Sequence, residues 1–147
     1  MTEAEFNRLA SAGHNRVPLV LETFADLDTP LSIYLKLANR PGSYLLESVI
    51  GGERFGRYSI AGLPARETLE VRGVVARILR DGVESERHVV ADPLAFVDRY
   101  LASFRAAPAG PQLRFAGGLA GYFGYDTVRY PERRLAGGRK PDALGLP

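Results

Sequence analysis

The stretch Ser43-Tyr44-Leu45-Leu46-Glu47-Ser48-Val49-Ile50 reads as a strand, and Gly51-Gly52-Glu53-Arg54 follows it as a turn. The chain then returns over Tyr58-Ser59-Ile60-Ala61-Gly62-Leu63 until Pro64 breaks it, so an antiparallel pair is predicted. Glu47 is the odd residue in this pair, a carboxylate set in an apolar run. Desolvating an ionised carboxyl without a partner costs several kcal/mol or more. Two partners would serve: a bound ammonium group, or Arg54 or Arg57 folding back as an internal ion pair. Strand alternation places Tyr44, Leu46, Ser48 and Ile50 on one face and Leu45, Glu47 and Val49 on the other. Glu47 and Ser48 therefore reach one ligand only if the strand bulges, or if Ser48 contributes backbone groups while Glu47 contributes its carboxylate. A free amino acid suits such a site. Its ammonium would meet Glu47, its carboxylate would meet Arg57 or backbone N–H groups, and leucines would line the side-chain pocket.

Outward from this pair, the remaining segments predict an α+β fold, mainly antiparallel sheet with a few covering helices. Thr2 and Glu5 form a capping-box pattern ahead of a short helix carrying Phe6, Leu9 and Ala10 and stopping at Gly13. Val17 to Phe24, rich in Val and Leu, predicts a strand. Thr29 and Pro30 start a second helix with Leu31, Tyr34, Leu35 and Ala38 at helical spacing, ending before Pro41. A meander over Glu67–Arg72, Val74–Arg80 and Val83–Val90 is separated by Gly73 and by the hairpin signal Asp81-Gly82. Asp92 and Pro93 cap a third helix, whose stripe of Leu94, Phe96, Val97, Tyr100, Leu101 and Phe104 is expected to cover the sheet. A loop over 106–111 and a strand start at Gln112 lead into Gly117-Gly118-Leu119-Ala120-Gly121-Tyr122-Phe123-Gly124-Tyr125-Asp126. That segment predicts a strand bent or closely approached at its glycines, with Tyr122, Phe123 and Tyr125 packing on its faces. The sequence after Asp126 holds few large apolar side chains and stops at Pro147 without a closing element, as a cut chain would.

Composition narrows the function. The 147 residues predict one domain over 1–147, with a net charge of +2 too shallow for a nucleic-acid face. No cysteine is present, which removes disulfides, thiolate nucleophiles and cysteine metal sites. Apolar runs too short for a bilayer, together with the acidic start Met1-Thr2-Glu3-Ala4-Glu5, predict a soluble, cytoplasmic protein and no membrane partner. The glycine-rich segment lacks the lysine and hydroxyl of a phosphate loop, and His14 and His88 have no nucleophile or metal partner at useful spacing. The basic residues Arg129, Arg133, Arg134, Arg139 and Lys140 are diluted by Asp126, Glu132 and Asp142, as in a solvated connection.

Ala25 to Leu37, Pro41 to Ala61 and Phe115 to Arg129 together resemble the N-terminal region of anthranilate synthase component I, a chorismate-utilising family. The motifs that carry the resemblance are Leu45-Leu46-Glu47-Ser48, then Arg57-Tyr58-Ser59-Ile60-Ala61-Gly62, then Gly117 to Asp126, in that order. Aminodeoxychorismate synthase component I shares parts of the pattern. The resemblance implies a subunit that converts chorismate, with ammonia and Mg²⁺, to anthranilate and pyruvate, its ammonia supplied by a glutamine amidotransferase partner. It also implies an α+β assembly whose N- and C-terminal portions share a core, with catalytic and Mg²⁺-binding residues in the later chorismate-binding portion and none in this chain. Onto these residues it carries the feedback site for L-tryptophan: Leu46, Glu47 and Ser48, with Arg57, Tyr58 and Ser59. The rival reading is a stand-alone ligand- or RNA-binding α+β domain with Glu47 locked to Arg54 or Arg57.

Overall fold

The structure is a computed structural model that describes residues 1–47, 58–109 and 117–135. Among these, three helices and two small antiparallel sheets make an α+β fold, as the sequence predicts. The helices are α1 (Glu3–Ser11), α2 (Pro30–Leu37) and α3 (Pro93–Ala102). One sheet pairs β1 (Tyr44–Glu47) with β2 (Ser59–Gly62), and the other runs in the order β3 (Glu67–Arg72), β4 (Val75–Arg80), β5 (Val83–Val89). The chain divides into two compact units: Met1–Leu21, Leu69–Ile78 and Ser85–Pro147 in the first, Glu22–Thr68 and Leu79–Glu84 in the second.

Local chemistry accounts for each helix start. Thr2, Thr29 and Asp92 each turn a side-chain oxygen back to a first-turn backbone N–H, satisfying a donor that the helix itself leaves open. At α2 the exchange is reciprocal, because Thr29 N–H also donates to Ser32 Oγ at 2.9 Å. Asp28 completes this start by accepting from Ser32 Oγ at 2.7 Å and from Lys36 Nζ at 2.6 Å, two turns along the helix. Lys36 first, and Ser32 after it, hold the Asp28 carboxyl below the usual carboxylate range.

The meander is laid out as predicted. Glu70–Arg77, Glu67–Arg80 and Arg66–Asp81 are ion pairs, each joining residues equidistant from the Gly73-Val74 turn, so one register aligns all three. At the next turn Asp81 and Gly82 take φ of 49° and 79°, the left-handed pair that a right-twisted two-residue hairpin needs. In the first unit, Ala76 and Ile78 of the central strand point into the core with Val90, Pro93 and Ala107. Phe96 of α3 lies against His88 of β5, ring centroids 5.1 Å apart, so the helix covers the sheet there. Asn15 works as a clasp in the same unit: its amide donates to Ser103 C=O and accepts from Arg105 N–H, both at 2.7 Å. Arg16 stacks its guanidinium 4.6 Å above the Phe104 ring.

Two predicted strands are not found. Among the described residues, Val17 to Phe24 takes no regular secondary structure and joins no sheet, and Arg16, just before it, makes an isolated bridge to Ala106. Leu21 and Phe24 are 91% and 95% exposed. A strand is a pairing, and no partner strand stands beside this segment among the described residues. The same holds from Gly117 to Gly124, where Tyr122 and Phe123 are exposed and packed on neither face, and Tyr125 opens a 3₁₀ turn over Tyr125–Arg129. Tyr130 Oη anchors the end of that turn by donating to Gly73 C=O at 2.9 Å. The predicted continuation of β1 to Ile50, the Gly51 to Arg54 turn and the strand start at Gln112 lie outside the described residues. No helix among the described residues is long and apolar enough to cross a membrane.

Two outcomes follow. Open space surrounds a Cβ built on Gly82, so Gly82→Ala acts through φ alone and is expected to cost about 1 kcal/mol in urea unfolding of the chain, whereas unchanged stability would contradict the turn. For Asp28, a lowered folded pKa favours the ionised form, so its contribution is complete above about pH 4 and lost as pH falls through the folded value. An NMR titration is expected to place its midpoint below about 3.9 and to return it toward that value in Lys36→Ala.

Candidate functional site

β1 and β2 bring the candidate residues together through one register: Tyr44 opposite Gly62, Leu45 opposite Ala61, Leu46 opposite Ile60 and Glu47 opposite Ser59. Directly opposed residues share a face of the sheet, with Cβ atoms about 4.5–5.5 Å apart. Glu47 and Ser59, from two separate motifs, are thus neighbours on one surface. Leu45 and Ala61 extend that surface, while Leu46 and Ile60 lie on the other.

This arrangement refines the sequence reading. The leucine that shares a face with Glu47 is Leu45; Leu46, named from the resemblance, sits on the opposite face and is 57% exposed. Strand parity already contained that signal, since residues two apart share a face. Tyr58 precedes β2 and is half-exposed, and Ser59 is its first residue. Ser48, Arg57 and the rival cation Arg54 lie outside the described residues.

The carboxylate itself stands differently from expectation. Glu47 is exposed to solvent, so it carries no burial penalty that a partner must offset. An exposed carboxylate beside a hydroxyl can receive an incoming cation. That chemistry matches an ammonium group, whose three N–H donors suit a carboxylate with a hydroxyl close by.

The support beneath this face is apolar and hydrogen-bonded. α2 packs against β2, and Tyr34 of α2 bonds through its hydroxyl to Ser43 Oγ at 2.8 Å. Ser43 Oγ also donates to Arg40 C=O at 2.7 Å, which fixes the tight turn entering β1. Ala38, at the end of α2, is fully buried in this unit. Among the described residues no group of three or more His, Asp or Glu side chains could hold a metal ion.

Comparison with known proteins bears out the resemblance. The chain is 58% identical over 147 residues to anthranilate synthase component 1 of Pseudomonas putida and 61% identical over 148 residues to that of Pseudomonas aeruginosa. It is 49% identical over 151 residues to anthranilate synthase component 1 of Neisseria meningitidis. Each match takes in all of this chain and 30% of the relative, its N-terminal portion. No family model matches the chain, and no solved structure matches it.

The register has a direct check. Because the sequence has no cysteine, Glu47→Cys with Ser59→Cys is expected to close a cross-strand disulfide under mild oxidant, while Glu47→Cys with Ile60→Cys, on opposite faces, is expected to stay reduced. Equal cross-linking in both would contradict the pairing.

Proposed function

We propose that this chain, similar over its whole length to the N-terminal portion of anthranilate synthase component 1, is the regulatory region of such a subunit. On this reading the whole subunit converts chorismate and ammonia to anthranilate and pyruvate in the cytoplasm, beside a glutamine amidotransferase partner. The chain spans about a third of the length of the relatives it matches. Mg²⁺ and the catalytic residues are assigned to the remaining length. The exposed Leu19, Leu21, Phe24, Tyr122 and Phe123 are then surfaces that the rest of the subunit covers.

Within this region the effector L-tryptophan sits on the β1–β2 pair. Its ammonium meets Glu47, assisted by Ser59, and its carboxylate meets Arg57 or the backbone N–H groups about Ser48. Tyr58 and Leu45 flank the site, with Leu46 behind it on the opposite face. The observation that carries the reading is the register that sets Glu47 opposite Ser59, residues drawn from the two motifs behind the resemblance. Inhibition then arises because tryptophan binds one state of the enzyme more tightly than the other.

The test uses the complete enzyme with L-tryptophan as inhibitor. Glu47→Ala is expected to raise the half-inhibiting concentration at least about tenfold, as loss of a charge-assisted contact does. Ser59→Ala is expected to raise it by a smaller factor. Inhibition curves unchanged in both would refute the site. Separately, the 147-residue chain given chorismate, Mg²⁺ and ammonia is expected to form no fluorescent anthranilate. Turnover by a clean preparation would contradict the assignment of catalysis to the remaining length.

A further inference from the structure

Among the described residues the β1–β2 pair has four residues in each strand, so few backbone hydrogen bonds there set its register. A slip of one residue would turn Glu47 to the other face, and a slip of two would set it opposite Ala61 in place of Ser59. Something other than ladder length must select the observed alignment. The side chains at the far end of the pair supply it. Tyr44 is opposite Gly62, and its ring lies across the glycine, so that a Cβ built there would fall on ring atoms Cδ1, Cε1 and Cζ.

This packing has one solution along β2. In a slipped register the residue opposite Tyr44 would be Ala61, Leu63, Ile60 or Pro64, each of which carries a Cβ, so only Gly62 leaves the Cα open to the ring. An aromatic ring over a strand glycine restores the packing that the missing side chain forfeits. The Tyr34–Ser43 hydrogen bond fixes the residue just before Tyr44, which limits how far the ring can retreat. Ring, glycine and anchored turn together form a lock three residues from Glu47.

We propose that Tyr44 and Gly62 are positioning residues for the effector site: the ring seated on the glycine selects the register that holds Glu47 opposite Ser59. This inference rests on the tryptophan-site reading above. Neither residue touches the ligand. Their effect on it runs through alignment of the two strands alone.

The experiment measures half-inhibition by L-tryptophan in the complete enzyme. Gly62→Ala is expected to raise the half-inhibiting concentration about tenfold, within the range typical of coupling between sites. Adding Tyr44→Ala to that variant is expected to weaken inhibition no further, because both changes disable the same lock, a non-additivity that two independent destabilisations would not give. Tyr44→Phe keeps the ring and is expected to stay within about twofold of the parent, the size of a surface change. Should Gly62→Ala fail to fold, Tyr44→Leu removes the ring without adding a Cβ and is expected to weaken inhibition in its place. Parent-like inhibition in Gly62→Ala, or in Tyr44→Leu where that variant stands in, would overturn the proposal, as would losses that simply add in the double variant. Glu47→Ala, run alongside, separates the two claims. If it weakens inhibition while Gly62→Ala does not, the lock is wrong and the effector site stands. If Glu47→Ala leaves inhibition intact, the effector reading fails and the positioning role falls with it.

Discussion

Everything proposed for this chain depends on the alignment of two short strands. With Glu47 opposite Ser59, a carboxylate and a hydroxyl from distant points in the sequence share one surface. Any odd slip would send the carboxylate to the other face, because side chains alternate with a period of two. The elements around the pair act on this one constraint. α2 supports β2, Tyr34 and Ser43 anchor the entry to β1, and Tyr44 closes over Gly62.

The energetic character of Glu47 is different from what its neighbours in sequence suggest. Surrounded by Leu45, Leu46, Val49 and Ile50, it reads as a carboxylate that must be compensated inside an apolar layer. In the structure it is exposed at the end of β1. An internal ion pair is then no longer required to offset desolvation, and a solvent-facing carboxylate is what a reversible amino-acid effector needs. An effector must arrive and leave as its concentration changes, which a fully buried, permanently neutralised group would hinder.

Sequence proved most legible where structure is local. Thr2, Thr29 and Asp92 mark helix starts because capping is settled within four residues, and Asp81-Gly82 marks a hairpin because two φ values settle it. The meander was readable for the same reason, and its ion pairs equidistant from Gly73-Val74 reinforce one register. Legibility failed where structure is relational. Val17 to Phe24 and Gly117 to Gly124 have strand-like composition, but a strand exists only when another backbone accepts and donates along it, and neither segment has one among the described residues. The candidate site falls between these cases: the motifs named Glu47 and Ser59, parity grouped Leu45 with Glu47, but only cross-strand pairing could set Glu47 beside Ser59 and place Leu46 on the far face.

The central claim, that the β1–β2 pair is the floor of the tryptophan site, is tested most directly by hydrogen exchange of the complete enzyme with and without saturating L-tryptophan. Binding at this pair slows exchange of the amides in Tyr44–Glu47 and Ser59–Gly62 more than in the β3–β4–β5 meander, because ligand binding lowers the population of locally opened states only where it is coupled to them. Protection confined to other parts of the enzyme, with these two strands exchanging at their unliganded rates, would contradict it.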